Sequence, residues 1–549
     1  MSRANGAFAL DSAPPHPAGT PEEGLARSAP STTTGSEQKV RAGATDAARG
    51  AVASAERAPG KPAPTTHVPS LHLASRAGSL VAEAMERPTS WERLRGLTDR
   101  IGARLAGSEG ERRAIAWAKA EFEHDGFSVR LEPVKVPVWV RGSESAAIVS
   151  PVPQPLVMLG LGGSVGTPPE GIVAPVAVVS SYEELETLGR AKVEGRIVLY
   201  DNPFVRTGDE MSDYGRAVKY RSGGASAAAR LGAAAVLIRS VATASLRTPH
   251  TGMLSYAVDA PKIPAAAVTI EDAMLVRRLF ESGEEVRVRL VMGARTEPDA
   301  DSANVVAEIR GREKPEEIVL IGAHLDSWDV GTGAIDDGAG CAVVLETMRM
   351  LAGGPRPRRT VRAVLFANEE NGLRGGKGYR DAHMALLGSH VAALEFDSGG
   401  GRALGIGVDS GEGGLAALAD LLVPILAPIG AGRVTKGGGG ADISPLEDHG
   451  VPQLSLNLDT TRYFDWHHTM ADTLDKVDPW DLQQATAAFA ATAWALAEWD
   501  RTLPRLPPPR KSETQSHDAV SPGGTGGAAA KGPAAPPSPP APSTSKPHR

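Results

Sequence analysis

"EEIVLIGAHLDSWDVGTGAIDDGAG", residues 316–340, places the apolar run Ile318-Val319-Leu320-Ile321 just ahead of His324 and Asp326, then closes a glycine-rich loop on the pair Asp336 and Asp337. A run of that kind reads as a strand, and a strand that stops on His-x-Asp is asking for partners. After Asn304 the chain supplies them, because apolar runs alternate with helical segments in the way of a doubly wound, mostly parallel α/β sheet with helices on both faces. "TVRAVLFANEE" ends on Glu369 and Glu370, "HVAALEFDSGG" on Asp397, and "GVPQLSLNLD" leads into "TTRYFDWHHTMADT" with His467 and His468. Ligands of open α/β sheets bind beyond the carboxyl ends of the strands, so these clusters are expected along one edge.

Upstream the texture differs. Residues 71–127 carry apolar side chains at helical spacing, as in "SWERLRGLTDRIGARLAG" and "GERRAIAWAKAEFEHDGF". From about 137 to 300 short β-branched runs broken by Gly and Pro predict a mostly β insertion that interrupts an α/β domain formed by 69–136 and 301–503. Within it, "EGRIVLYDNP" and "KIPAAAVTI" read as strands and "ASAAARLGAAAVLIRS" as a small-residue helix followed by a strand. Residues 1–68 and 504–549 are rich in Ala, Gly, Pro, Ser and Thr with no sustained apolar period, and are expected to be disordered.

A net charge of −7 over 549 residues argues against a nucleic-acid or anionic-membrane partner. No apolar run is long enough to span a membrane. The single cysteine, Cys341, rules out an internal disulfide framework and a cysteine-based zinc site; on its helical run it reads as a small core residue. The N-terminus shows no charged segment followed by an apolar one, so no secretory signal is read there.

Histidine and carboxylate donors without a usable cysteine suit zinc or a similar divalent ion, and two ions need a carboxylate to bridge them. A lone histidine after a strand is usually structural, and strand-end acids are often turn formers. Neither explanation covers four clusters at once. Spacing alone leaves the role of each residue open.

Further stretches carry a resemblance: "RLAGSEGE", "VPVWVRGSESA", "LGLGGSVGTP", "YRSGGASAAARLGAAAVLIRS", "TPHTGM", "GGGGADISP" and "HHTMADT". With the opening motif they make the chain, over nearly all of 80–500, similar to the dinuclear zinc exopeptidases of the aminopeptidase and glutamate-carboxypeptidase type, and within them to the plasma glutamate carboxypeptidase subfamily. The resemblance implies two Zn2+ per chain. His324 and Asp397 would serve one ion, Glu370 and His468 the other, and Asp336 would bridge them, followed by a cis peptide. Glu369 would be the general base, and Asp326 the carboxylate that orients His324. In "WHHTMADT" the register selects His468, with Asp472 and Thr473 supporting the loop and His467 in a packing role. The insertion would be a protease-associated domain.

The implied activity is hydrolysis of short peptides, dipeptides with free termini above all, by a water that bridges the two ions. The alternatives are a broad aminopeptidase acting on longer peptides, a glutaminyl cyclase, and a non-catalytic binding protein on the same fold. A homodimer and export from the cytoplasm are implied by the same resemblance. "GGGGADIS", 437–444, offers N–H groups for a substrate carboxylate, while His250 in "TPHTG" reads as a surface histidine.

Overall fold

Strand Lys314–His324 lies at the middle of an eight-stranded sheet with the order Val129–Val140, Arg295–Ile309, Arg359–Phe366, Lys314–His324, His390–Glu395, Gln453–Leu458, Ala403–Asp409, Arg433–Lys436. It and three neighbours, Arg359–Phe366, His390–Glu395 and Gln453–Leu458, run parallel, and antiparallel pairings flank them. The computed structural model describes residues 70–508 apart from 209 and 245. The low-complexity stretch 1–68 and residues 509–549 lie outside the described residues.

Register explains why the polar clusters meet. His324 pairs with Phe366, so the two strands end level and Glu369 and Glu370 leave the sheet beside the histidine. Gly322 pairs with Glu395, which brings Asp397, two residues further on, level with His324. The strands themselves are fixed by alternation, with Val319, Ile321 and Ala323 packing into one apolar cluster and Leu320 into another across the sheet. Helices Ala339–Ala352 and Pro479–Glu498 cover the first face, and both are buried over almost their whole length. Cys341 sits there fully buried, with its thiol donating to the His324 carbonyl at 3.1 Å, as expected for a small core residue.

The insertion forms a second eight-stranded sheet ordered Gln154–Leu156, Glu144–Ser150, Arg287–Met292, Ile172–Val179, Ile197–Tyr200, Ala235–Arg239, Ala265–Val268, Met158–Gly160. It also carries the helices Tyr182–Val193, Glu210–Arg230 and Ile270–Glu281. Its junction with the first sheet is later than 136 and earlier than 301, because Val129–Val140 and Arg295–Ile309 remain paired as far as Val140 with Arg295. At the other end the folded body runs past 503. Arg505 donates to the carbonyls of Leu387, Gly388, His390 and His449, and Leu506 N–H donates to Gly450. Among the described residues no helix is long and apolar enough to cross a membrane.

Candidate active site

The strand ends bring His324, Asp336, Glu370, Asp397 and His468 together. His324 Nε2 stands 3.2 Å from Asp336 Oδ1 and 3.7 Å from Asp397 Oδ1. On the other side His468 Nε2 is 3.2 Å from Asp336 Oδ2 and 3.1 Å from Glu370 Oε2. Asp336 thus presents one oxygen to each histidine. His467 stacks on His468 with ring centroids 3.5 Å apart, and its Nε2 reaches Asp336 Oδ2 at 3.5 Å. It is packed by Tyr214, Tyr463 and Phe464.

The donor set fits metal ions. His324 Nδ1 lies 3.1 Å from the Asp326 carbonyl, so the tautomer that donates there leaves a lone pair on Nε2 facing two carboxylates. Lone pairs that face each other in a buried site need a cation between them. Asp336 Oδ2 and Glu370 Oε1 are buried with no hydrogen-bond partner, which is the same demand seen from the acids. Electrostatics agree. Burial disfavours charge on His468, yet the Glu370 and Asp336 carboxylates hold it up at about 9, and Asp336 and Asp397 raise His324 well above its ordinary range against the same burial. A site that draws protons this strongly also draws a dication. Burial and then the charge of Asp336 push Glu370 up to about 7. Glu369 is half-buried beside it, its carboxyl raised well above the usual range by burial and by Asp397 and Glu370, against the pull of His324.

The loops are held by a framework that sequence reading only partly located. Asp326 lies beneath the site, its Oδ1 accepting from Glu369 N–H at 2.9 Å and its Oδ2 from Glu370 N–H at 3.3 Å, so one carboxylate positions both glutamates. Asp472 Oδ1 accepts from Ala334 and Ile335 N–H at 2.7 and 2.8 Å and so steadies the turn ahead of Asp336, whose peptide with Asp337 is cis. Gly333, at φ 57°, must be glycine, because a Cβ there would lie 2.4 Å from Ser327 Cβ and 2.8 Å from Arg104 Nη1.

Arg104 itself was not singled out by sequence reading, although it opens the "RLAGSEGE" stretch. It is fully buried and donates to the carbonyls of Leu325, Thr332 and Gly333 at 2.6, 2.7 and 2.8 Å, tying the His324 loop to the Asp336 loop. Replacing Arg104 by Leu should leave these buried carbonyls unsatisfied and cost at least about 3 kcal/mol. A melting temperature within a degree of the parent would reject this account.

One expectation is corrected here and another is narrowed. His250 is 2% exposed rather than on the surface, because the insertion folds back so that Thr251 N–H donates to the His468 carbonyl at 3.0 Å. The glycine loop at 437–444 has only part of its N–H groups available for a substrate carboxylate, since those of Gly437 and Ser444 donate to the Val408 and Gly440 carbonyls. Its Asp442 and Ile443 N–H groups already donate to buried Glu395, at 3.3 and 2.9 Å. The Asp442 carboxyl is buried there without a hydrogen-bond partner, and burial and then the charge of Glu395 raise it well above the usual range.

Comparison with known proteins agrees with this geometry. The profile of Peptidase family M28 matches residues 304–493. Carboxypeptidase Q from Bos taurus is 42% identical over 418 residues, covering 76% of this chain and 87% of that protein, and the Homo sapiens protein is 40% identical with the same coverage. Among solved structures, a peptidase M28 precursor from Shewanella amazonensis is 40% identical, with a TM-score of 0.77 over 80% of this chain and 99% of that one. A zinc aminopeptidase from Bacillus subtilis shares the fold at 21% identity, with a TM-score of 0.57 over 75% of this chain and 96% of its own. Identity of 40–42% sustained across three quarters of the sequence, joined to a donor set suited to zinc, means that the chain belongs to Peptidase family M28 and is a zinc metallopeptidase.

Proposed function

We propose that this peptidase is a two-zinc exopeptidase that hydrolyses short peptides, dipeptides with free termini above all, with Glu369 as general base. The observation that carries this reading is the position of Asp336, one oxygen toward His324 and the other toward His468, which gives two donor groups sharing a single carboxylate. His324, Asp397 and Asp336 would hold one ion, and Glu370, His468 and Asp336 the other. Bound zinc supplies Lewis acidity, lowering the pKa of water and polarising the scissile carbonyl. Glu369 is adjacent to Glu370 in sequence, and its carboxylate makes no hydrogen bond to any described residue. It can therefore accept a proton from the attacking water and return it to the leaving nitrogen. Asp326 keeps both glutamate main chains in place while this happens. The preference for dipeptides is supported by the likeness to carboxypeptidase Q, and a broad aminopeptidase is the reading it competes with.

Protein purified without chelator should contain two zinc ions per chain by elemental analysis and should cleave unblocked dipeptides. One ion in fully active protein would reject the bridging role of Asp336. Equal rates on dipeptides and on longer peptides would favour the aminopeptidase.

A further inference from the structure

Among the five candidate ligands only His468 has a positive φ, 61°, in the left-handed region that side chains other than glycine rarely adopt and keep only where their surroundings fix them. We propose that the insertion is an integral part of the second zinc site, and that its Thr251 is the residue that positions His468 for the ion. The inference rests on the two-zinc reading and names the group that sets the affinity of one of the two sites.

A histidine that gives Nε2 to a metal carries its proton on Nδ1, and the acceptor of that proton fixes the ring and raises its basicity as a ligand. For His324 the acceptor is the Asp326 carbonyl, two residues on in the same loop, at 3.1 Å. His468 finds its acceptor much further away. Among the described residues, the acceptor within hydrogen-bond distance of its Nδ1 is the Thr251 carbonyl at 3.4 Å, which Arg221 Nη1 approaches at the same distance. Thr251 also donates its N–H to the His468 carbonyl at 3.0 Å, so one residue of the insertion holds the histidine by main chain and ring together. Trp328, packed against the His468 ring at 5.6 Å between centroids, is itself met by the insertion at Gly162, where a Cβ would lie 2.0 Å from the indole.

Thr251 is held in turn by its side chain. It is fully buried, and its hydroxyl donates to the Gly160 carbonyl at 2.8 Å. Arg141 completes the joint, donating to the same carbonyl at 2.6 Å and to the Thr251 hydroxyl at 3.4 Å, while its Nε and Nη2 grip Asp329, in the loop after Asp326, at 2.8 and 2.5 Å. A second tether ties the segment to the sheet of the insertion, with His250 N–H donating to Ser240 Oγ at 3.0 Å and that hydroxyl donating to the Val268 carbonyl at 2.8 Å. The Thr251 hydroxyl can be removed without leaving its partners unsatisfied, because the Gly160 carbonyl keeps Arg141 and Arg141 keeps Asp329. Valine at this position therefore cuts one tether and preserves the shape of the side chain.

Zinc titration of metal-free protein against a competing indicator, with the melting temperature of each sample, tests this independently of turnover. Wild type should bind in two steps. Thr251→Val should weaken, by roughly 10- to 100-fold, the step that Glu370→Ala also weakens, and should leave the step that Asp397→Ala weakens within about twofold. Thr251→Ser, which keeps the hydroxyl and loses the methyl group, should bind like wild type. A residue that only filled space would give the reverse, with the serine variant impaired and the valine variant sound, and that pattern would overturn the proposal. Two unchanged steps in Thr251→Val, or equal weakening of both, would overturn it as well. If wild type binds a single zinc ion, the two-zinc reading itself fails before any variant is compared. Should Thr251→Val not fold, Ser240→Ala decides, since it frees the same segment at its other tether: a weakened Glu370-side step upholds the proposal, and two unchanged steps overturn it.

Discussion

Glu369→Gln is expected to lose turnover by roughly 10²- to 10⁴-fold while keeping its full zinc content. The amide has the shape of the carboxylate but cannot take a proton from water, so the chemical step loses its base and little else changes. What holds Glu369 in place is its main chain, through the N–H that donates to Asp326, and the substitution leaves that bond untouched. Glu370→Gln should do the opposite, because Glu370 stands 3.1 Å from His468 Nε2 and its other oxygen is buried without a partner. It should release one ion and lose activity that added zinc partly restores. Steady-state rates on a dipeptide with zinc measured on the same samples separate the two. Loss of zinc from Glu369→Gln, with zinc retained in Glu370→Gln, would exchange the roles of the pair.

The residues that converge were legible because each follows a strand, and parallel strands in register end at one level. His324, Glu370 and Asp397 are brought together by the pairings of His324 with Phe366 and of Gly322 with Glu395, which follow once the strands are recognised. Their individual roles came from resemblance, since a strand end does not distinguish a base from a ligand. Contacts between distant parts of the chain were not legible. Arg104 meets the Gly333 carbonyl across 229 positions, and Thr251 meets His468 across 217, and nothing local to either residue predicts such partners. One missed signal was local. Glu395 is an acid inside the otherwise apolar run "HVAALEF", and a buried acid must find donors. It finds them in the Asp442 and Ile443 N–H groups of the glycine loop, which commits that end of the loop to the fold.

Asp336→Ala should be the most damaging single change in the site, since it alone faces both histidines. Its Oδ1 lies 3.2 Å from His324 Nε2 and its Oδ2 3.2 Å from His468 Nε2, so alanine removes an anion from each donor group at once. Asp397→Ala removes a donor only on the His324 side, and Glu370→Ala only on the His468 side. Even residues that merely orient a ligand change metal affinity by about 10- to 100-fold, so loss of the shared carboxylate should weaken both binding steps by more than about 100-fold each. Activity should fall by at least about three orders of magnitude and should not return at zinc concentrations that rescue Glu370→Ala. Protein freed of metal and titrated with zinc against a competing indicator resolves the two steps. The pattern required is one weakened step in Asp397→Ala, the other in Glu370→Ala, and both in Asp336→Ala. If Asp336→Ala keeps one step at wild-type affinity, Asp336 serves a single ion, and a second must be held by another donor, for which His467 Nε2, 3.5 Å from Asp336 Oδ2, is the nearest alternative.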